Sequence, residues 1–335
     1  MKISLFSVQD HYPQKSRTVP QLYDEVMRQV VLADELGYHT FFSAEHHFHE
    51  YGAVPNPAVF LAAISQRTQR IRLGTGISVL PFRNPLGVAE DYAMLDVLSG
   101  GRLSLGVGSG YLKHEFEGFS INGAEKRDRF DEGLELVERL LRGERVTYQG
   151  RFTTLDAVQI NVLPVQREVP IYVAILRKEA AYHVGRQGRR MMCVPYAGLD
   201  HFEEIGEMMA EFRRGREEIG ITDHRDAAAI ALHTYVTDSD AQAKREASDA
   251  FDIYVATRLY AKSAVYDDVI RKELCLFGAP ETVLAKLRRL QAMGVDHVMT
   301  LQNFGALPDE LVQRSMRRLM SDVVPAVRES AVAAA

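Results

Sequence analysis

A glutamate and three histidines fall within five consecutive positions, Glu45-His46-His47-Phe48-His49. Imidazole is the side chain whose ordinary pKa lies nearest neutrality. Such a cluster can act as a general base, donate to a developing oxyanion or peroxide, or bind a metal. A zinc site needs ligands converging from separated positions. Neighbouring residues on an extended strand point to opposite faces, so His46 and His47 cannot readily share one ion. The alternative is that one of these rings is an interior polar group satisfied by hydrogen bonds.

Two further groups of residues invite chemistry. The run Gly106-Val107-Gly108-Ser109-Gly110 follows an apolar stretch, and glycines there let backbone amides approach an anion. It is not the dinucleotide motif G-x-G-x-x-G, because Tyr111 stands where the third glycine would be. A tight turn is the other reading. Arg177 and Lys178 follow the apolar run 171–175. A basic pair between a strand and a short helix can hold a phosphate; a solvated surface pair is the alternative. Asp96, Arg102, Asp131 and Glu132 read as structural ion pairs and caps, and Met191, Met192, Met208 and Met209 as core filler. The sequence has no P-loop, no G-x-S-x-G elbow and no paired-cysteine metal motif.

The elements that must position these residues alternate. Strand patterns at 3–8, 40–44, 71–76, 102–107, 170–175, 191–194, 227–236 and 297–301 are separated by helical patterns, such as 22–36, 86–98, 127–141 and 202–217. Residues 146–150 and 157–160 read as a hairpin insertion around Gly150. Eight strand–helix units favour a closed (β/α)8 TIM barrel over an open sheet. A barrel places its chemistry where strands end, which brings 44–49, 75–80, 106–111, 174–178 and 192–196 to one mouth. Residues 254–277 carry several charges and resist assignment, so they are expected to form a lid-like loop. One domain is expected over 1–330, with 331–335 a frayed tail.

The bulk numbers narrow the class. Apolar residues make up 46% and charged residues 25%, an ordinary balance for a soluble globular protein. A net charge of −5 argues against nucleic acid or an anionic membrane as the main partner. Two cysteines, Cys193 and Cys275, do not make a disulfide framework, and a reducing cytoplasm fits. The first residues run directly into a strand pattern, so no secretory signal is expected. No apolar run approaches the ~20 residues that span a bilayer.

Taken together, the motifs resemble those of the bacterial luciferase-like monooxygenase family over most of the chain. The resemblance rests on Ala44-Glu45-His46-His47-Phe48 with Gly52 and Pro55-Asn56-Pro57. It continues through the run 70–76, Val79-Leu80-Pro81, Asn84-Pro85, Ala89-Glu90-Asp91 and Leu95-Asp96. Leu98-Ser99-Gly100-Gly101-Arg102, the glycine run 106–110, the run 277–281 and Met293-Gly294-Val295-Asp296 complete it. It implies a TIM barrel that dimerises through helices of its N-terminal half. It also implies reduced FMN delivered by a separate flavin reductase, molecular oxygen as co-substrate, and oxygenation of a small organic molecule through a C4a-peroxyflavin. His46 matches the catalytic histidine. A cis peptide is implied at Gly76–Ile77, beneath the flavin. With the strand-end rule, the resemblance assigns Gly76, Ile77, Ser109, Gly110, Tyr111, Ala174, Leu176, Arg177 and Lys178 to the cofactor. His47, Glu115, Tyr196, Tyr254 and Arg258 are assigned to the substrate pocket or lid, and no metal is expected.

Two departures from bacterial luciferase bear on function. Ser109 stands where luciferase uses an arginine for the flavin phosphate, and the loop after the fifth strand reads Leu176-Arg177-Lys178 instead of an acidic residue and a serine. Arg177 or Lys178 is expected to restore the charge. Gly108 stands at luciferase's reactive cysteine. These differences point to a biosynthetic or degradative monooxygenase that emits no light. A deazaflavin-dependent dehydrogenase or reductase on the same fold, and a non-catalytic flavin-binding protein, are the competing readings.

Overall fold

The computed structural model describes residues 1–50, 52–258 and 265–333. Eight parallel strands form the ring: β1 (Lys2–Ser7), β2 (Thr40–Ser43), β3 (Arg72–Thr75), β4 (Leu103–Gly108), β5 (Ile171–Ile175), β6 (Arg190–Cys193), β7 (Ala228–Val236) and β8 (His297–Asn303). Each pairs with its sequence neighbours, and β8 pairs with β1 to close the barrel. These are the eight strands that the sequence pattern anticipates. The expected hairpin forms from Val146–Gln149 and Thr154–Val158.

Local sequence signals explain the helix starts. α1 (Val19–Leu36) opens with a capping box between Thr18 and Gln21 and ends at Gly37, whose φ of 81° suits glycine. α2 (Pro57–Ser65) and α3 (Pro85–Leu98) each begin with asparagine then proline. Asn56 Oδ1 accepts from the Ala58 amide at 3.1 Å, and Asn84 Oδ1 from the Leu86 amide at 2.9 Å. The side chain caps the first turn, while proline fills a position whose N–H has no helical acceptor. The other elements used below are α4 (Lys113–Gly118), α5 (Lys126–Leu141), α6 (Glu179–Arg186), α7 (Glu204–Glu217) and α8 (Asp240–Ala256).

The expectation of an irregular lid over 254–277 needs correction. Tyr254 is still helical in α8, Tyr266–Arg271 forms a further short helix, and Cys275–Gly278 is a parallel strand on β7. His233 pairs with Leu301 on one edge and Cys275 on the other, so this extra strand continues along the edge of β7 where pairing with β6 ends. Four apolar residues between charged neighbours are too few to show a period. Residues 259–264 lie outside the described residues. The chain's final helix runs Val324–Ala333.

Side chains fill the barrel at its N-terminal end. The rings of Phe42, Tyr172 and His297, from β2, β5 and β8, meet with centroids 6.0–6.5 Å apart. Only the interior brings these non-adjacent strands together. Below them, Asp226, just ahead of β7, gathers Lys2 at 2.7 Å, Arg190 at 3.1 Å, His297 Nδ1 at 3.3 Å and the Tyr172 hydroxyl at 3.1 Å. Five strands are tied through one carboxylate. Burial opposes ionisation of Asp226, but His297 and Lys2 beside it hold its carboxyl below the usual carboxylate range.

Because that pKa is depressed in the folded state, the stabilisation is complete above the unfolded value, about 3.9, and is lost as pH falls toward the lower folded value. Asp226→Asn is expected to cost roughly 2 kcal/mol at pH 7. That lies below the ~3–5 kcal/mol of a fully buried pair, because this side chain is 24% exposed. Thermal melting should show the gap between wild type and variant shrinking below about pH 4; a gap independent of pH refutes the role.

Candidate active site

At the other end of the ring the barrel is open. A cavity of about 790 Å³ is walled by residues from the C-terminal ends of the strands, within the ~300–1,000 Å³ usual for ligand sites. Phe6, Val8, Ile77, Val173, Ile175 and Leu301 are among its apolar sides, and His46, Glu45, Glu115, Arg177 and Arg258 are among its charge-bearing groups.

His46 reaches the cavity because β2 ends three residues earlier, at Ser43, and the chain turns. The His46 amide donates to the Val54 carbonyl at 3.2 Å. Gly52 permits this turn: a Cβ there would lie 2.8 Å from the Val8 oxygen and 3.0 Å from the His46 ring. His46 Nδ1 lies 3.1 Å from Glu115 Oε1, and the same oxygen accepts the His47 amide at 2.9 Å. Burial lowers the His46 pKa most; Glu115 pulls it up, Arg258 and His47 push it down, and the net shift is downward. The surroundings of His46 thus favour its neutral form.

His47 turns out to be structural. It does not line the cavity; its ring packs within 4.7–5.8 Å of Phe48, Phe82 and Phe119. Its Nε2 donates to Glu45 Oε1 at 3.2 Å, while Glu45 Oε2 accepts from Ser78 Oγ and the Val79 amide at 3.2 Å each. Two buried carboxylates thus hold two successive histidines on opposite sides of the chain, in the turn after β2.

The glycines of β4 serve packing. A Cβ on Gly106 would sit 2.1 Å from the Thr75 oxygen, and one on Gly108 would sit 2.2 Å from Ile77 Cδ1. Their absence of side chains lets β3 and Ile77 enter the wall. The Gly76–Ile77 peptide is cis, as the resemblance implies. Gly76, Ile77, Ser109, Gly110, Tyr111, Ala174, Leu176 and Arg177 all line the cavity.

Besides His47, two assigned residues do not. Lys178 bridges Glu204 at 3.0 Å and Glu207 at 2.9 Å on α7, so its charge is already engaged away from the cavity. Tyr196 sits in the short turn after β6, buried behind the wall, with its ring 5.0 Å from His233. Glu115, Tyr254 and Arg258 do line the cavity. The Arg258 guanidinium lies 3.9 Å over the Tyr254 ring and is 5% exposed. Arg177 is exposed at the rim, and its side chain makes no hydrogen bond or ion pair within the described residues.

The sequence reading missed Glu45 as a wall residue, although it stands in the motif itself. It also missed Lys126 and Arg127 on α5, His183 on α6 and Gln187 just past the end of α6. No local signal marks these four, since helices outside the ring bring them to the rim. Among the described residues no group of His, Cys, Asp and Glu can hold a metal ion, and no helix is long and apolar enough to cross a membrane.

The sequence pattern of luciferase-like monooxygenases matches residues 1–297. The chain belongs to that family. A solved relative, the monooxygenase RslO1 from Streptomyces bottropensis, superposes with a TM-score of 0.90 at 31% identity, covering 97% of this chain and 99% of that one. The oxygenase component of the flavin-dependent trigonelline monooxygenase of Acinetobacter baylyi is 26% identical over 99% of this chain and 97% of its own. An F420-dependent glucose-6-phosphate dehydrogenase of Kineococcus radiotolerans is 27% identical over 89% of this chain and 91% of its own. The family thus includes both flavin monooxygenases and F420-dependent enzymes among this chain's relatives.

Proposed function

We propose that this protein is the oxygenase of a two-component flavin monooxygenase, taking reduced FMN from a separate reductase and inserting oxygen into a small organic substrate. The carrying observation is His46, a largely enclosed imidazole bonded to Glu115 whose surroundings favour its neutral form, on the wall of an otherwise mostly apolar cavity. The resemblance to RslO1 supports oxygenase over dehydrogenase chemistry.

The residues present fit a flavin nucleotide. A flat ring system suits the apolar walls set by Phe6, Ile77 and Val173, and the phosphate suits the rim, where Arg177 and Lys126 are exposed. α6 begins there without a side-chain cap, and helix amides favour anions. Ser109 adds a hydroxyl just after β4. Reduced FMN would supply the two electrons that activate molecular oxygen, one oxygen atom entering the substrate and the other leaving as water. The chain's part is to exclude water, orient both reactants and exchange a proton at His46. The competing reading, an F420-dependent hydride-transfer enzyme, draws on relatives of similar identity and length.

A homodimer is part of the same proposal. Val59 on α2 and Met94, Val97 and Leu98 on α3 are 44–67% exposed, a run of apolar surface on adjoining helices that suits burial against a second copy.

Anaerobic titration with reduced FMN and reduced F420 separates the readings. FMN is expected to bind at least about tenfold tighter, one RT ln 10 of about 1.4 kcal/mol; the reverse order replaces the oxygenase with the F420 reading, and no binding of either ends both. In the same titration Arg177→Ala is expected to weaken FMN about tenfold or more, and Lys178→Ala to leave it unchanged. With reduced FMN, labelled oxygen and a panel of small organic substrates, wild type should transfer one label per product. His46→Ala should still bind FMN but transfer about 10²-fold less or worse; equal transfer removes His46 from the chemistry. Light scattering should give twice the 37.7 kDa chain mass for wild type and the single mass for Met94→Asp combined with Leu98→Asp. A monomeric wild type overturns the dimer.

A further inference from the structure

α4 is a single short helix, yet it grips the loop after β2 at three points. Glu115, on its first turn, is 2% exposed and places Oε1 3.1 Å from His46 Nδ1 and 2.9 Å from the His47 amide. His114, one residue earlier, has Nε2 3.1 Å from the His47 carbonyl oxygen. α4 itself is held by the aromatic cluster in which Phe116 packs 4.8 Å from Phe82.

A neutral imidazole carries one N–H and one lone pair, and its neighbours decide which nitrogen has which. An ionised carboxylate only accepts. The oxygen that meets His46 Nδ1 also meets a backbone N–H from the next residue, which fixes the ring's orientation against its own chain. His47 cannot exchange roles with it, because His47 Nε2 is engaged by Glu45.

We propose that Glu115 is the positioning residue of this site, holding His46 as the Nδ1–H tautomer so that proton exchange runs through Nε2. This deepens the monooxygenase reading, since it names the atom at which His46 works, but the tautomer can be measured without any flavin. Among the described residues, the titratable groups that act on His46 include Glu115 from α4, Arg258 following α8 and His47 beside it. Glu115 alone among them opposes burial and favours the protonated ring. A Glu115→Gln substitution should therefore move the His46 titration to lower pH.

Histidine-labelled, flavin-free protein would be examined by long-range proton–nitrogen correlation, with His46 identified by its loss in His46→Gln. Wild type is expected to show Nδ1 protonated and Nε2 bare. Glu115→Ala should shift the tautomer ratio toward Nε2–H by at least about tenfold, the weight of a hydrogen bond to a charged group. Glu115→Asp should retain part of the wild-type ratio. Wild-type His46 protonated on Nε2 overturns the proposal, as does a folded Glu115→Ala with the wild-type ratio. If Glu115→Ala does not fold, Glu115→Gln decides: a His46 titration at lower pH supports the role, and an unmoved one overturns it. Loss of melting temperature alone, with tautomer and titration intact, marks Glu115 as structural and also overturns the proposal. Failure to bind FMN would sink the monooxygenase reading and leave these spectra unaffected.

Discussion

The pairing of the first strand with the last makes this chain a vessel. Lys2 lies opposite His297, and the register runs on to Ser7 opposite Asn303. Every other feature depends on that closure. An open sheet would leave the ends of β2, β4 and β5 in a row, exposed to water. A ring turns them toward one another and surrounds the space between with apolar side chains. The seam is also where polar groups concentrate at the closed end: Ser4 Oγ contacts His297 Nε2 at 2.7 Å, and Asp226 ties the starts of β1, β6 and β8 together. The two ends of the barrel use charge differently. At the closed end, opposite charges pair and satisfy each other. At the open end, carboxylates are spent on orienting imidazoles.

That second use has an electrostatic logic. Burying His46 disfavours its charged form, and Arg258 adds to the effect. A carboxylate at Nδ1 moderates the shift while removing the choice of tautomer. In the role proposed for His46, burial would set the strength of the base and a hydrogen bond its direction. His47 shows how differently two adjacent histidines can be placed. One residue further along, on the opposite face, the same side chain packs in an aromatic cluster and bonds to Glu45.

The residues carrying the family resemblance divide along the same line. Asn56-Pro57 and Asn84-Pro85 start helices. Asp96 accepts from the Leu103 amide at 3.2 Å and the Gln166 amide at 2.9 Å, and Arg102 donates to the Ser65, Thr68 and Ile71 carbonyls at 2.9–3.1 Å. Gly106 and Gly108 thin a wall. Most of the motif is therefore the barrel's own construction, and only a few of its members face the cavity. This is why the motif identifies the family while leaving the substrate open.

The sequence by itself determined the ring and the position of the key imidazole. Strand and helix periods are local, repeat eight times and survive every reading frame of the pattern. Residues at strand ends follow from them, which is why His46, Ile77, Ser109, Tyr111 and Arg177 could be assigned to one mouth in advance. Only the tertiary structure decided between neighbours. It sent Lys178 to Glu204 and Glu207, turned His47 and Tyr196 behind the wall, and brought Lys126, Arg127 and His183 to the rim from helices distant in sequence. It also gave residues 275–278 a place in the sheet. The physical reason is common to all of these. A side chain's direction on a turn, and the partner that neutralises it, depend on groups that approach from elsewhere in the chain, and local spacing carries no record of them.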